Sequence, residues 1–156
     1  MFTSEREMQD TFVKLLKKRK TCGLIFEELG NRNHFFRTDV VEYKSKKEII
    51  GYELKLKDFK KLVEQSLGTL TVYDKSYIVV PKGTEEKLLK LINDYTSDRT
   101  DKIGIIVMDK NSYKVIKSAQ KESTRNWNYW WRTVLIPDLI IRGYYKGGIN
   151  GCKSYK

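Results

Sequence analysis

Residues 35–56, FFRTDVVEYKSKKEIIGYELKL, read as two strands and the turn between them. Phe35 to Tyr43 is rich in β-branched and aromatic residues, the composition of a pleated, half-buried strand. Lys44-Ser45-Lys46-Lys47 supplies the hairpin turn. Ile49 to Leu56 then alternates with period two, which sets Glu53 and Lys55 on one face and Tyr52, Leu54 and Leu56 on the other. Neighbouring antiparallel strands lie about 5 Å apart, so Asp39 on the first arm and Glu53 on the second are placed to converge.

Outward from this hairpin, the apolar spacing of Met8, Phe12, Val13, Leu15 and Leu16 predicts a helix over about 4–20. Thr3-Ser4 stands at its start, with Glu5 and Glu7 near the positive end of the helix dipole. Leu24-Ile25-Phe26, running into Glu27-Glu28, is a first strand, and Gly30-Asn31-Arg32-Asn33 a polar turn. Downstream, Phe59, Leu62, Val63, Ser66, Leu67 and Leu70 predict a second helix from Asp58, the residue placed as cap or first-turn anion. Tyr77-Ile78-Val79-Val80 before Pro81 reads as a strand buried on both faces, so strand, helix and strand form a βαβ crossover. A third helix follows from Thr84, then a buried strand at Ile103–Met108 and an edge strand at Tyr113–Ile116. The expectation is an α/β sandwich on a mixed sheet of about five strands, flanked by helices.

With 156 residues, the chain is expected to be a single domain over 1–156 with no need of metal or disulfide staples. It has no apolar run of membrane-spanning length, and its N-terminus lacks a secretory pattern, so a membrane partner is excluded and a cytoplasmic setting is the default. Cys22 and Cys152 stand near opposite ends and His34 is the one histidine, a set that makes neither a disulfide framework nor a zinc cluster. Lys and Arg number 31 against 20 Asp and Glu, a net charge of +11 that points to nucleic acid as the partner class. Beyond Lys117 the composition changes, and residues 118–156 read as an aromatic C-terminal extension ending in a frayed tail.

Asp39, Glu53 and Lys55 are the residues whose chemistry matters. Two carboxylates side by side suit Mg2+, with Mn2+ as a substitute, because magnesium takes one or two carboxylates, keeps several waters and accepts a substrate phosphate. Such an ion polarises a phosphodiester and lowers the pKa of the attacking water. Lys55 beside it orients that water or neutralises charge developing in the transition state. The set makes a phosphodiester hydrolase site, against the plainer alternative of a cross-strand ion pair on a solvated face.

Asp39 followed by Glu53-Leu54-Lys55, on a hairpin between two helices, resembles the PD-(D/E)XK nuclease superfamily of restriction enzymes, Holliday junction resolvases and DNA-repair nucleases. The resemblance covers about residues 4–81, and the order of elements there is similar to the restriction-endonuclease-like αβββαβ core. It implies metal ligation by Asp39 and Glu53, a catalytic role for Lys55, and a place near the active site for Gln65. It further implies an upstream acidic ligand, for which Glu7 is favoured and Glu27 and Glu28 are the alternatives. Thr38 stands where the family's name has proline, a position that does no chemistry.

The function expected is a metal-dependent DNA endonuclease, structure-selective in the manner of a resolvase or repair enzyme. The alternative is a non-catalytic nucleic-acid-binding module on the same fold. Arg37 and Lys57 beside the motif, and Arg125 and Arg132 around the segment Trp127–Trp131, are the expected phosphate contacts. The tryptophans themselves have the spacing of core packing. With one site per chain, cleavage of both strands of a duplex implies a homodimer.

Overall fold

In the computed structural model the described residues are 1–30, 37–45, 48–95, 98–121 and 154–155. Helix α1 spans Glu5–Lys17. Its start is fixed by a variant of the capping box: the Ser4 hydroxyl accepts from the Glu7 N–H at 3.1 Å, and the Glu7 carboxylate accepts from the Thr3 N–H at 2.7 Å. Met8, Phe12, Val13 and Leu16 on one side of α1 are buried, as the spacing requires.

Strands β1 (Leu24–Gly30), β2 (Arg37–Ser45) and β3 (Glu48–Leu54) form an antiparallel meander. Helix α2 (Phe59–Val72) then carries the chain to β4 (Lys75–Pro81), which lies parallel to β3, so the βαβ crossover is present. Helix α3 (Glu85–Asn93) and a 3-10 turn at Asp98–Lys102 lead to β5 (Gly104–Met108), parallel to β4. Strand β6 (Tyr113–Lys117) turns back antiparallel to β5. A two-residue strand, β7 (Ser154–Tyr155), lies parallel to β1, and the order across the sheet is β6-β5-β4-β3-β2-β1-β7.

The sheet is covered on both faces. Ile50, Tyr52 and Leu54 of β3, with Val79 and Ile106, join Met8, Phe12 and Leu16 in one apolar layer. Ile78, Val80, Ile105 and Val107 point the other way and pack with Phe59, Leu62, Val63, Leu88 and Ile92 of α2 and α3. Strands β4 and β5 are thus wrapped on both sides, which is why they read as unbroken apolar runs. At Gly51 a Cβ would fall inside the contact radius of Thr69 Cγ2 and of the Tyr73 ring. The missing side chain lets the second half of α2 lie close on β3.

Several boundaries differ from the sequence expectation. Among the described residues the sheet has seven strands rather than about five, because β1 joins it and β7 pairs with its outer edge, where open backbone groups take partners. The tail read as frayed therefore contributes a strand. β3 ends at Leu54, so Lys55 lies one residue past it, although the Lys55 N–H still donates to Val79 O at 3.2 Å. Asp58 occupies the N-cap position of α2 with φ 64°, and its side chain makes no cap hydrogen bond. Cys22, read as outside any disulfide framework, is disulfide-bonded; β7 draws the C-terminal tail alongside the strand that Cys22 precedes. Among the described residues no helix is long and apolar enough to cross a membrane.

Candidate active site

The β2–β3 register pairs Val40 with Tyr52 and Val41 with Gly51, and one further step sets Asp39 opposite Glu53. Each carboxyl is anchored through one oxygen: Asp39 Oδ2 accepts from the Leu54 N–H at 2.9 Å, and Glu53 Oε1 accepts from Thr69 Oγ1 at 2.8 Å. The two carboxyls also act on each other electrostatically, Asp39 disfavouring the charge of Glu53. Glu53 is 3% exposed. Burial, with the Asp39 charge added to it, pushes its carboxyl up to about 9. Asp39 is raised too, again chiefly by burial, against the lowering effect of the Leu54 N–H.

Further carboxylates add to the local charge. Glu28 and Glu5 both act on Asp39 electrostatically, and Glu28 acts on Glu53 as well. Glu28 lies between the paired positions Glu27↔Val40 and Leu29↔Thr38, hence across from Asp39, and has φ 55°. A left-handed backbone at a non-glycine residue costs on the order of 1 kcal/mol, and such strain concentrates at functional sites. Lys55 answers part of this charge, with Nζ 3.7 Å from Glu5 Oε2 at the start of α1.

Glu42 shows what a structural buried carboxylate looks like in the same sheet. It is fully buried, yet it accepts from Arg19 at 2.7 Å, from Tyr52 OH at 2.8 Å and from the Gly23 N–H at 3.0 Å. A paired guanidinium and two further donors satisfy it completely. Glu53 has one hydroxyl donor and a second carboxylate against it. Such an arrangement costs stability where the Glu42 arrangement does not.

The other expected site residues divide. Glu7 is not with Asp39 and Glu53: its carboxylate binds Thr3 and meets Lys110 Nζ at 3.1 Å, bonds that hold it well below the usual range, at about 2. The pattern Ser4-x-x-Glu7 is itself a capping signal, and it wins over ligation. Gln65 is exposed on α2, and only its backbone carbonyl takes part nearby, accepting from Thr69 Oγ1. Thr69, one turn further along the same helix face, is the residue that reaches Glu53. Its placement depends on Gly51, which no pattern within α2 reveals. Tyr73, fully buried and in the field of Glu53, was equally unmarked. Lys57 is exposed just beyond Lys55. Glu27 accepts from Gln9 Nε2 at 3.3 Å. The side chain of Arg37, together with His34, Trp127–Trp131, Arg125 and Arg132, lies outside the described residues.

Among the described residues no group of three Asp, Glu, His or Cys side chains is arranged to hold a metal ion, so the expected trio of Asp39, Glu53 and Glu7 does not form. Two carboxylates on facing positions of β2 and β3 remain, and that donor set fits magnesium, which needs only one or two and fills its other positions with water and phosphate.

No family model matches the chain, and no curated protein does. Among solved structures it is similar to the SPO1766 protein of unknown function from Silicibacter pomeroyi, with 16% identity and a TM-score of 0.65 over 93% of this chain and 89% of that one. At that identity the likeness concerns the fold, an α/β arrangement with helices on a mixed sheet.

Proposed function

We propose that this chain is a metal-dependent endonuclease that hydrolyses DNA phosphodiester bonds, with a PD-(D/E)XK-type site at the end of β3. The observation that carries this reading is the pair Asp39 and Glu53, set opposite each other on β2 and β3 with Glu53 buried, next in the chain to Lys55 and with no cation paired to either carboxyl among the described residues. The order α1-β1-β2-β3-α2-β4 and the net charge of +11 support it.

In this account Asp39 and Glu53 would hold a divalent cation between them, with the negative field of Glu28 added to theirs. The chemistry such a cation supplies is polarisation of the scissile phosphate and a bound water of lowered pKa. Thr69 Oγ1 and the Leu54 N–H keep the carboxylates in place, the positioning that makes electrostatic catalysis effective. Lys55 exchanges Glu5 for a phosphate oxygen and neutralises charge as it develops there. DNA is held through phosphate contacts, and a homodimer places one site on each strand of a duplex.

The test is cleavage of DNA with magnesium or manganese by the wild type, Glu53→Ala and Lys55→Ala, with chelator as blank. Loss of cleavage in both variants and in chelator is expected. A second reading, a nuclease-like fold that binds nucleic acid without cutting it, is favoured by the lack of a three-ligand cluster among the described residues. It requires salt-sensitive binding by all three proteins and cleavage by none.

A further inference from the structure

Beside Lys55, on the α1 face of the sheet, lies a cavity of about 380 Å³ walled by Phe2, Leu56, Pro81 and Met108, with Lys82 and Lys110 also lining it. It stands where the chain leaves β3, β4 and β5, the carboxyl ends of three parallel strands, where α/β folds characteristically bind ligands. Its size and apolar wall are those of a small-molecule pocket, for which roughly 300–1,000 Å³ is usual. Phe2 and Met108 are buried in the wall, so the apolar surface is built into the core. The link to the dyad runs through Lys55 and the first turn of α1: Leu56 follows Lys55 in the chain, Glu5 pairs with Lys55 and also acts on Asp39, and Glu7 holds Lys110.

A double helix keeps its bases stacked and offers a neighbouring site only phosphates and groove edges. An apolar pocket with lysines beside a phosphodiester site therefore matches an unpaired base and its flanking phosphates. We propose that this cavity receives one unpaired nucleobase of the DNA strand bound at Asp39 and Glu53, which makes single-stranded, flapped or locally opened DNA the preferred substrate. The base lies against Leu56, Pro81 and Met108, while Lys82, which faces the charge of Asp109 on the same cavity lining, meets a phosphate. This rests on reading the dyad as a phosphodiester site.

The test binds the whole, unaltered protein, without divalent metal, to a single-stranded oligonucleotide carrying 2-aminopurine, to the same oligonucleotide with an abasic residue there, and to the paired duplex. The label is moved along the strand, and cleavage with magnesium is followed in parallel. At one register the base-bearing strand is expected to bind about tenfold tighter than the abasic one, with a change in 2-aminopurine fluorescence. Leu56→Trp, which fills the cavity, should abolish that difference and leave salt-sensitive binding in place. Equal affinity for base and abasic strands at every register overturns the inference, as does a difference that survives a folded Leu56→Trp. The wild-type comparison stands even if that variant fails to fold. Cleavage without base discrimination removes the pocket and keeps the nuclease; discrimination without cleavage does the reverse.

Discussion

Glu53 illustrates a residue kept at the expense of stability. Its carboxyl titrates at about 9 in the folded chain and near 4.5 when unfolded. The sign follows from linkage: below about pH 4.5 both states are protonated and Glu53 costs nothing, and between about 4.5 and 9 the unfolded state is favoured progressively as it ionises first. Glu53→Gln, an isostere of the protonated form, is therefore expected to stabilise the metal-free protein at pH 7–8, by on the order of a few kcal/mol, while abolishing cleavage. Thermal melts at pH 5 and pH 8 check this; the gain should be large at pH 8 and small at pH 5. Magnesium should raise the wild-type melting temperature and leave that of Glu53→Gln unchanged. Glu7 has the opposite sign. Held at about 2, it contributes stability that is present above about pH 4.5 and lost as the pH falls toward 2. Glu7→Gln is expected to lower the melting temperature at neutral pH and leave metal-dependent cleavage intact, which melts and a nicking assay together decide. The meeting of Asp39 and Glu53 was legible in sequence because a tight hairpin and a period of two leave little freedom in register. The left-handed backbone of Glu28 was not, since nothing in Glu27-Glu28-Leu29 favours it.

Among the elements, α2 sets the accuracy of the site. Gly51 lets it approach β3, and that approach brings Thr69 onto Glu53. Gly51→Ala is expected to destabilise the fold by roughly 1–3 kcal/mol through overpacking. It should also lower cleavage more than the fraction unfolded explains, because Thr69 then loses Glu53; denaturant unfolding beside turnover separates the two effects. The sequence showed that α2 is a helix and which face is apolar. It did not show the helix's rotation and depth on the sheet, which come from residues on another element, and so the contact of Thr69 with Glu53 was not legible. The end of β3 is a similar case: alternation continues through Leu56, but hydrogen bonding as a strand stops at Leu54, and Lys55 reaches back to Glu5 of α1.

At the scale of the whole molecule, a net charge of +11 would make the proposed DNA binding a polyelectrolyte effect. Affinity measured by fluorescence anisotropy is expected to fall tenfold or more between about 50 and about 200 mM salt, with similar slopes for wild type and Glu53→Gln. A salt-independent affinity would point to an apolar protein partner instead. The parallel pairing of β3 and β4 followed from the strand-helix-strand order, β5 lies parallel to β4 in the structure, and this topology gathers Lys55, Lys82 and Lys110 at one end of the sheet, beyond the ends of those strands. The measurement that tests the central claim most directly is cleavage of supercoiled plasmid, single-stranded DNA and a four-way junction, with magnesium, manganese or chelator, by wild type, Glu53→Ala and Lys55→Ala. Metal-dependent cleavage by the wild type that disappears in both variants is the result predicted. No cleavage of any substrate, with salt-sensitive binding retained by all three proteins, would contradict it.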